Sequence, residues 1–324
     1  MKILVTGGAG YIGSHVIKQL GEQGGGDITV LDNLSTGFES SILYGKLVKA
    51  DLCDFAFVEK FLDDEKFDAI IHFAASIVVP ESVENPLKYY MNNTVNTTNL
   101  IRCAVKSGVK SFVFSSTAAV YGEPKDGVVT EESPLVPINP YGYSKLMSEQ
   151  VLRDTAAAHQ DFKFVILRYF NVAGASMDGR IGQRFPNATH LIKVSCEAAC
   201  GKRAKMFIFG EDYPTSDGSC VRDYIHIEDL ASAHLAALEY LEGGGKSDVF
   251  NCGYGRGASV KEVVETVKKI SGVDFEVQKA PRRSGDPALL ISDNKKILAT
   301  LSWKPKYDNL EIICKSAFEW EKNI

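Results

Sequence analysis

The sequence predicts an α/β fold, a doubly wound parallel sheet with a smaller C-terminal substrate-binding lobe, on three observations. Short, near-continuous apolar runs recur through the first half of the chain, separated by helical patterns, the signature of parallel strands buried on both faces. The first run ends directly in a glycine-rich turn. After residue 171 the rhythm breaks into loops, one helix and an aromatic strand. A length of 324 residues fits two such units at roughly 150 residues each.

The opening run, Lys2 to Thr6, leads into Gly7-Gly-Ala-Gly10-Tyr11-Ile12-Gly13 and a helical pattern from Ser14 to about Gln23. Glycines at Gly7, Gly10 and Gly13 let backbone approach a phosphate, and a helix N-terminus offers unpaired N–H groups. A second strand, Asp27 to Leu31, ends at Asp32, 19 residues after Gly13. A carboxylate there binds ribose hydroxyls and repels a 2′-phosphate. No Arg or Lys follows at once, so the pattern predicts a dinucleotide site for NAD rather than NADP. The alternation continues with Lys46 to Asp51, a helix from Phe55 to Leu62, and Ala69 to Phe73. Asp51 at a strand end either meets the adenine or caps the next helix. A long polar helix, about Pro86 to Ser107, carries Asn92, Asn93, Asn96 and Asn99. So many poor helix formers point to buried hydrogen bonding, a kink or a ligand contact, with a solvated face as the plain alternative. The strand Ser111 to Ser116 then delivers Thr117 to the C-terminal edge of the sheet, where ligands bind.

Asn139-Pro-Tyr-Gly-Tyr-Ser-Lys145 opens the next helix, with Asn139 as N-cap and Pro140 at the first helical position. The helix runs to about His159. Tyr141 and Lys145 share one face, which brings an ammonium near a phenol and favours its phenolate below the usual pKa of about 10. Tyr121 and Lys125 have the same spacing, but Gly122 and Pro124 predict a turn there. Phe164 to Tyr169 is a sixth strand. Residues 172 to 221 hold a helix around Leu191 to Gly201 and the strand Met206 to Phe209; Val221 to His226, an alanine-rich helix to Tyr240 and Val249 to Asn251 then return to the sheet. The expected division is 1–171 plus 222–255 for the nucleotide domain and 172–221 plus 256–324 for the lobe.

A formal net charge of −5 and a pI near 5.8 exclude a global field for nucleic acid or anionic membranes. An anionic ligand therefore needs local arginines or backbone N–H groups. Seven scattered cysteines, an odd number, suit a reducing compartment. Cys196 and Cys200 are four apart on a helix without a Cys or His pair to complete a zinc set, so no metal is expected. With no leader pattern and no apolar run long enough to span a bilayer, the expectation is a cytoplasmic protein.

Thr6 to Gly13, Ser115-Ser-Thr-Ala-Ala-Val-Tyr-Gly122, Tyr141 to Lys145 and Leu167-Arg-Tyr-Phe-Asn171 together resemble the extended short-chain dehydrogenase/reductases, whose nucleotide domain is a Rossmann fold. With Phe209-Gly-Glu-Asp-Tyr-Pro-Thr215, Val221 to His226 and Ala280-Pro-Arg-Arg-Ser-Gly-Asp286, the whole chain looks like the UDP-hexose 4-epimerases of that family. The resemblance implies a tightly held NAD, reduced and reoxidised in each turnover. Tyr141 takes the proton of the sugar 4-OH, Lys145 bonds the nicotinamide ribose and acidifies Tyr141, and Thr117 bonds the 4-oxygen. The cofactor set it implies is Gly7, Gly10, Tyr11, Ile12, Gly13, Asp32, Asn33, Ser35, Thr36, Gly37, Asp51, Leu52, Phe73, Ala74, Ala75, Asn92, Tyr141, Lys145 and Phe170. The UDP-sugar set is Thr117, Tyr141, Asn171, Leu191, Phe207, Phe209, Arg222, Arg283, Asp286 and Leu290. Homodimerisation through helices near 93–107 and 146–159 is implied too.

The sequence departs from that pattern at four places. Ile77 stands in place of a cofactor-touching lysine, Ala75 of a glycine, and His190 of an asparagine. Leu290 stands where enzymes confined to UDP-glucose and UDP-galactose carry a bulky tyrosine, which implies room for the acetamido group of UDP-GlcNAc and UDP-GalNAc. Three rival readings remain. A nucleotide-sugar 4,6-dehydratase needs an Asp-Glu pair where this chain has Ala118 and Ala119. A non-catalytic dinucleotide sensor has no use for Thr117, Tyr141 and Lys145 together. A net reductase would release NADH.

Overall fold

The computed structural model describes residues 1–185, 188–283 and 286–324. In chain order its strands are β1 (Lys2–Thr6), β2 (Asp27–Asp32), β3 (Lys46–Lys49), β4 (Ala69–His72), β5 (Ser111–Ser115), β6 (Val128–Val129) and β7 (Lys163–Tyr169). There follow β8 (Asn171–Ala173), β9 (Met206–Phe209), β10 (Val221–His226), β11 (Asp248–Cys252), β12 (Gly257–Ser259), β13 (Val277–Ala280) and β14 (Leu289–Ser292). Seven of them form one parallel sheet in the order β11-β7-β5-β4-β1-β2-β3. Alternate residues of these strands face separate cores. Ile3, Val5, Ile71 and Val113 belong to one cluster, and Leu4, Ile70, Phe112 and Phe114 to the other. Helices Tyr11–Glu22 and Ile227–Glu242 pack together, as do Phe55–Glu65 and Asn96–Ser107. Burial on both faces is why these strands read as continuous apolar runs.

The first helix begins at Tyr11, three residues before the predicted start at Ser14, because its first turn grows straight out of the glycine turn. The helix Pro140–Ala158 starts as predicted. Asn139 Oδ1 accepts from Gly142 N at 2.9 Å, with Pro140 in the first turn. The polar helix from Pro86 to Ser107 is interrupted by six π-helical residues, Tyr90–Val95. The extra residue per turn is held by side-chain hydrogen bonds: Asn93 Nδ2 donates to Ser144 Oγ at 3.0 Å, and Ser148 Oγ donates to Asn93 O at 2.9 Å. Asn93 thus binds this helix to the one that carries Tyr141 and Lys145.

The second sheet runs β12-β10-β14-β6, with β8 also paired to β10, and β13 pairs with β9 separately. Strand β10, read from sequence as a return to the large sheet, joins this smaller one; its register sets Arg222 beside Leu290. The chain regains the large sheet only at β11, after the helix Ile227–Glu242. An apolar strand that leaves one sheet for a parallel partner in another looks the same in sequence as one that stays. Among the described residues no helix is long and apolar enough to cross a membrane, and no three His, Cys, Asp or Glu side chains could hold a metal ion together.

Candidate active site

A cleft of about 1270 Å³ runs between the C-terminal edge of the large sheet and the lobe. At one end the glycine turn folds tightly. A Cβ on Gly13 would lie 2.5 Å from Gly7 O, and one on Gly7, at φ +71°, would lie as close to Ala74 N. The first helix has neither a side-chain cap nor an acidic residue in its first turn, so its N–H groups face the cleft uncompensated. That cradle fits a phosphate, and with it NAD. Asp32 closes the turn: Oδ2 accepts from Ala9 N at 2.9 Å and Oδ1 from Leu34 N at 2.8 Å. Burial raises the Asp32 pKa, and those two hydrogen bonds pull against it. The Cys53 N–H, donating to Asp51 Oδ1, and then Asn33 Nδ2, donating to Oδ2 at 2.7 Å, hold the Asp51 carboxyl below its usual value.

Further along the wall lie Ser35, Thr36, Leu52, Phe73, Ala74, Ala75, Ile77, Asn92, Thr117, Tyr141, Phe170 and Asn171. Asn92 Nδ2 donates to Ser76 Oγ at 2.9 Å. Two members of the expected set stand back from the wall among the described residues. Gly37 packs on the turn, where a Cβ would sit 2.7 Å from that of Ala9. Lys145 Nζ points into the sheet, donating to Ser115 O at 3.0 Å and lying 4.9 Å from the centre of the Phe114 ring.

The predicted sign of the Tyr141 shift is reversed. Burial raises its phenol above the usual value, and a hydrogen bond to Thr117 is what opposes that rise. Burial likewise lowers Lys145 to about 7, against the pull of Glu149. Spacing placed the two groups on one face; their common burial disfavours the charged form of each. Tyr121 and Lys125 do not mimic the pair. Gly122 is at φ +66°, and Tyr121 OH donates inward to Asn251 Oδ1 at 2.6 Å.

The other end of the cleft belongs to the lobe. Arg222 Nη2 lies 3.6 Å from Asp286 Oδ1, and the Arg283 guanidinium lies 3.7 Å from the Phe209 ring centre. Phe207 and Phe209 have ring centres 6.2 Å apart. Leu191 lines the wall close by, and His190 Nδ1 is 3.0 Å from Gln183 Nε2. Leu290 is buried in a small cluster with Ala118, Val120, Tyr121 and Val129. Ser284 and Gly285 of the 280–286 motif lie outside the described residues.

Sequence reasoning missed a buried ion pair beneath this site. Arg168 Nη2 meets Glu149 Oε2 at 2.5 Å, and Ser116 Oγ donates to Glu149 Oε1. An arginine inside an apolar strand was the available signal, with a glutamate one turn beyond Lys145. Arg184 on the lobe side and Tyr169, whose OH lies 2.6 Å from Ser115 Oγ, were also missed.

The sheet with its glycine turn and uncapped helix defines a nucleotide-binding α/β protein. The NAD dependent epimerase/dehydratase family matches residues 3–253, and the chain belongs to that family. It is 52% identical over 324 residues to a UDP-glucose 4-epimerase of Azospirillum brasilense, covering all of this chain and 92% of that one. It is similar to the structure of the UDP-Glc/GlcNAc 4-epimerase of Campylobacter jejuni, with 61% identity, a TM-score of 0.88, and coverage of 100% of this chain and 99% of that one. The UDP-glucose 4-epimerase of Brucella ovis in complex with NAD is 40% identical, with a TM-score of 0.95 over 99% of this chain and 98% of that one.

Proposed function

We propose that the cleft is the active site of an NAD-dependent isomerase that inverts C4 of UDP-hexoses through a transient 4-keto sugar, and that it accepts UDP-GlcNAc and UDP-GalNAc as well as UDP-glucose and UDP-galactose. The observation that carries this reading is one continuous cleft joining the glycine turn to Thr117, Tyr141, Arg222 and Leu290. NAD, when bound, accepts the hydride from C4 and returns it. Gly7, Gly10 and Gly13 hold its phosphates, Asp32 the adenosine ribose and Asp51 the adenine, with Phe170 at the nicotinamide end.

Tyr141 takes the 4-OH proton and gives it back to the 4-oxygen on either face of the sugar. Thr117 bonds that oxygen and the phenol. Lys145 reaches the nicotinamide ribose by leaving Ser115 O, and as a cation it lowers the Tyr141 pKa that burial raises. Arg222 and Arg283 hold the diphosphate, a task for which the planar guanidinium is suited. Asn171 lies beside them, Asp286 takes the uridine ribose, and the uracil lies against Phe207. Ala118 and Ala119 can transfer no proton, which disfavours dehydration.

Leu290 supports the wider substrate range, as does the similarity to an enzyme described for both Glc and GlcNAc. The domain division proposed is the sequence-based one, with Val221–His226 assigned by its pairing to the lobe sheet. A cytoplasmic homodimer completes the reading. Seven free cysteines support the compartment, and exposed Val83, Leu87 and Met91 support the dimer. Incubating the purified protein with UDP-galactose and UDP-GalNAc in turn, and resolving the nucleotide sugars by chromatography, tests the proposal. Conversion of both to the gluco epimers is expected. Conversion of UDP-galactose alone removes the wider range, and conversion of neither removes the reaction.

A further inference from the structure

The dinucleotide end of the cleft lacks side-chain cations from its own domain. Among the described residues, every charged side chain that residues 1–171 place on the wall is acidic: Asp32, Asp51 and Glu84. A pyrophosphate seated on the glycine turn would meet backbone N–H groups and a helix dipole there, but no ammonium or guanidinium. The cations on the lobe side are mostly engaged at the other end: Arg203 with Glu197, Lys205 over Phe207, Arg222 with Asp286 and Arg283 over Phe209.

Arg184 is placed differently. It crosses from the lobe to the loop after Asp32, with its guanidinium carbon 4.2 Å from the Phe38 ring centre and Nη1 donating to Ser40 Oγ at 2.9 Å. Phe38 is itself tied to the glycine turn, its N–H donating to Ala9 O at 3.0 Å. Ala9, Gly10, Phe38 and Arg184 all line the one cleft. The Phe38 ring holds the guanidinium by a cation–π contact, and the Ser40 bond uses one of its five N–H donors. Among the described residues its other donors are left for an anion in the adjoining turn.

We propose that Arg184 is a cofactor clasp, a lobe residue that hydrogen-bonds the dinucleotide pyrophosphate from above the glycine turn and thereby keeps NAD resident between turnovers. The inference rests on the NAD-dependent reading above and adds a residue to it. The clasp closes the cleft from the domain that holds the sugar nucleotide, so cofactor retention depends on the lobe as well as on the Rossmann sheet.

The test compares wild type, Arg184→Ala and Arg184→Lys for NAD content after purification, for the rate of NAD loss on dilution, and for the melting temperature of the nucleotide-free proteins. Arg184→Ala should lose NAD about 10- to 100-fold faster, the range for one charge-assisted hydrogen bond. Its turnover of UDP-galactose should return to the wild-type level at saturating added NAD, and Arg184→Lys should fall between the two. Wild-type retention of NAD in Arg184→Ala would overturn the clasp while leaving the reaction standing. A lower melting temperature of nucleotide-free Arg184→Ala, matched by Arg184→Lys, would assign the residue to a structural tie and also overturn it. A wild-type protein that neither retains NAD nor epimerises with NAD added would overturn both proposals.

Discussion

Replacing Lys145 with methionine should stabilise the protein and abolish its turnover. Lys145 is 3% exposed, and burial lowers its pKa from 10.5 to about 7 even with Glu149 one turn away. Keeping that charge in the folded protein costs roughly 5 kcal/mol at pH 7 and below, relative to an unfolded chain with the ordinary value. Methionine, of similar length, removes the charge but forfeits the bond to Ser115 O and the contact with Phe114, together roughly 1–3 kcal/mol. The balance is a gain of about 2–4 kcal/mol at pH 7, several degrees in Tm. Between pH 7 and 10.5 the unfolded lysine holds a proton that the folded one has released, so the wild-type protein gains stability with rising pH across that window. The advantage of methionine should therefore shrink towards pH 10.5. Thermal unfolding of the two nucleotide-free proteins at pH 7 and 9.5, with UDP-galactose turnover alongside, measures both effects. A methionine variant less stable than wild type at pH 7, or an advantage unchanged at pH 9.5, would refute the reasoning.

Tyr141→Phe should cut turnover by about 10²–10⁴-fold while calorimetry shows UDP binding within a factor of about two, because only the proton-transferring oxygen is lost. Leu290→Tyr should depress activity on UDP-GalNAc at least about tenfold more than on UDP-galactose; equal losses on both would show that this position is no gate. Val83, Leu87 and Met91 are 64%, 73% and 56% exposed at four-residue spacing, beside exposed Tyr143 and Met147. Leu87→Glu should therefore turn the proposed dimer into a monomer in sedimentation, without loss of fold.

The large sheet was legible because each strand is local, short and buried on both faces, so its apolar run is unbroken, and because Asn139 and Pro140 announce their helix by residue type. The small sheet was not. Its two-residue strand β6 finds its partner β14 more than 150 positions away, at Ile291 and Ser292, and nothing local encodes that pairing. The asparagine-rich helix was legible as an anomaly, and the π segment with its bonds to Ser144 and Ser148 gives the reason. For the cleft, the glycine spacing and the Tyr141–Lys145 spacing led to the glycine turn and Tyr141 on the wall, but to a Lys145 that stands back from it. They gave the wrong sign for the Tyr141 pKa, because spacing reports proximity and carries no measure of burial. Arg184 had no pattern to betray it: a single arginine in a loop acquires a role only when folding brings Phe38 and Ser40 beneath it.

The ion pair beneath the site explains how so much burial coexists with fixed geometry. Arg168 lies on β7, Glu149 on the helix of Tyr141 and Lys145, and Ser116 immediately before Thr117, so one buried carboxylate links the strand that feeds Thr117 to the helix that carries the phenol. Removing either charge would leave its partner buried and unpaired, at about 3–5 kcal/mol, whereas an apolar pair of similar volume could be as stable or more so. Stability alone therefore does not account for the pair. What it supplies is register, since Thr117 and Tyr141 cannot slide past one another without breaking bonds among buried groups. Glu149 also sets its negative charge against the desolvation of Lys145, which holds that pKa near neutrality rather than lower still. The same carboxylate thus fixes where the proton-transferring groups sit and how nearly their charges are balanced at working pH.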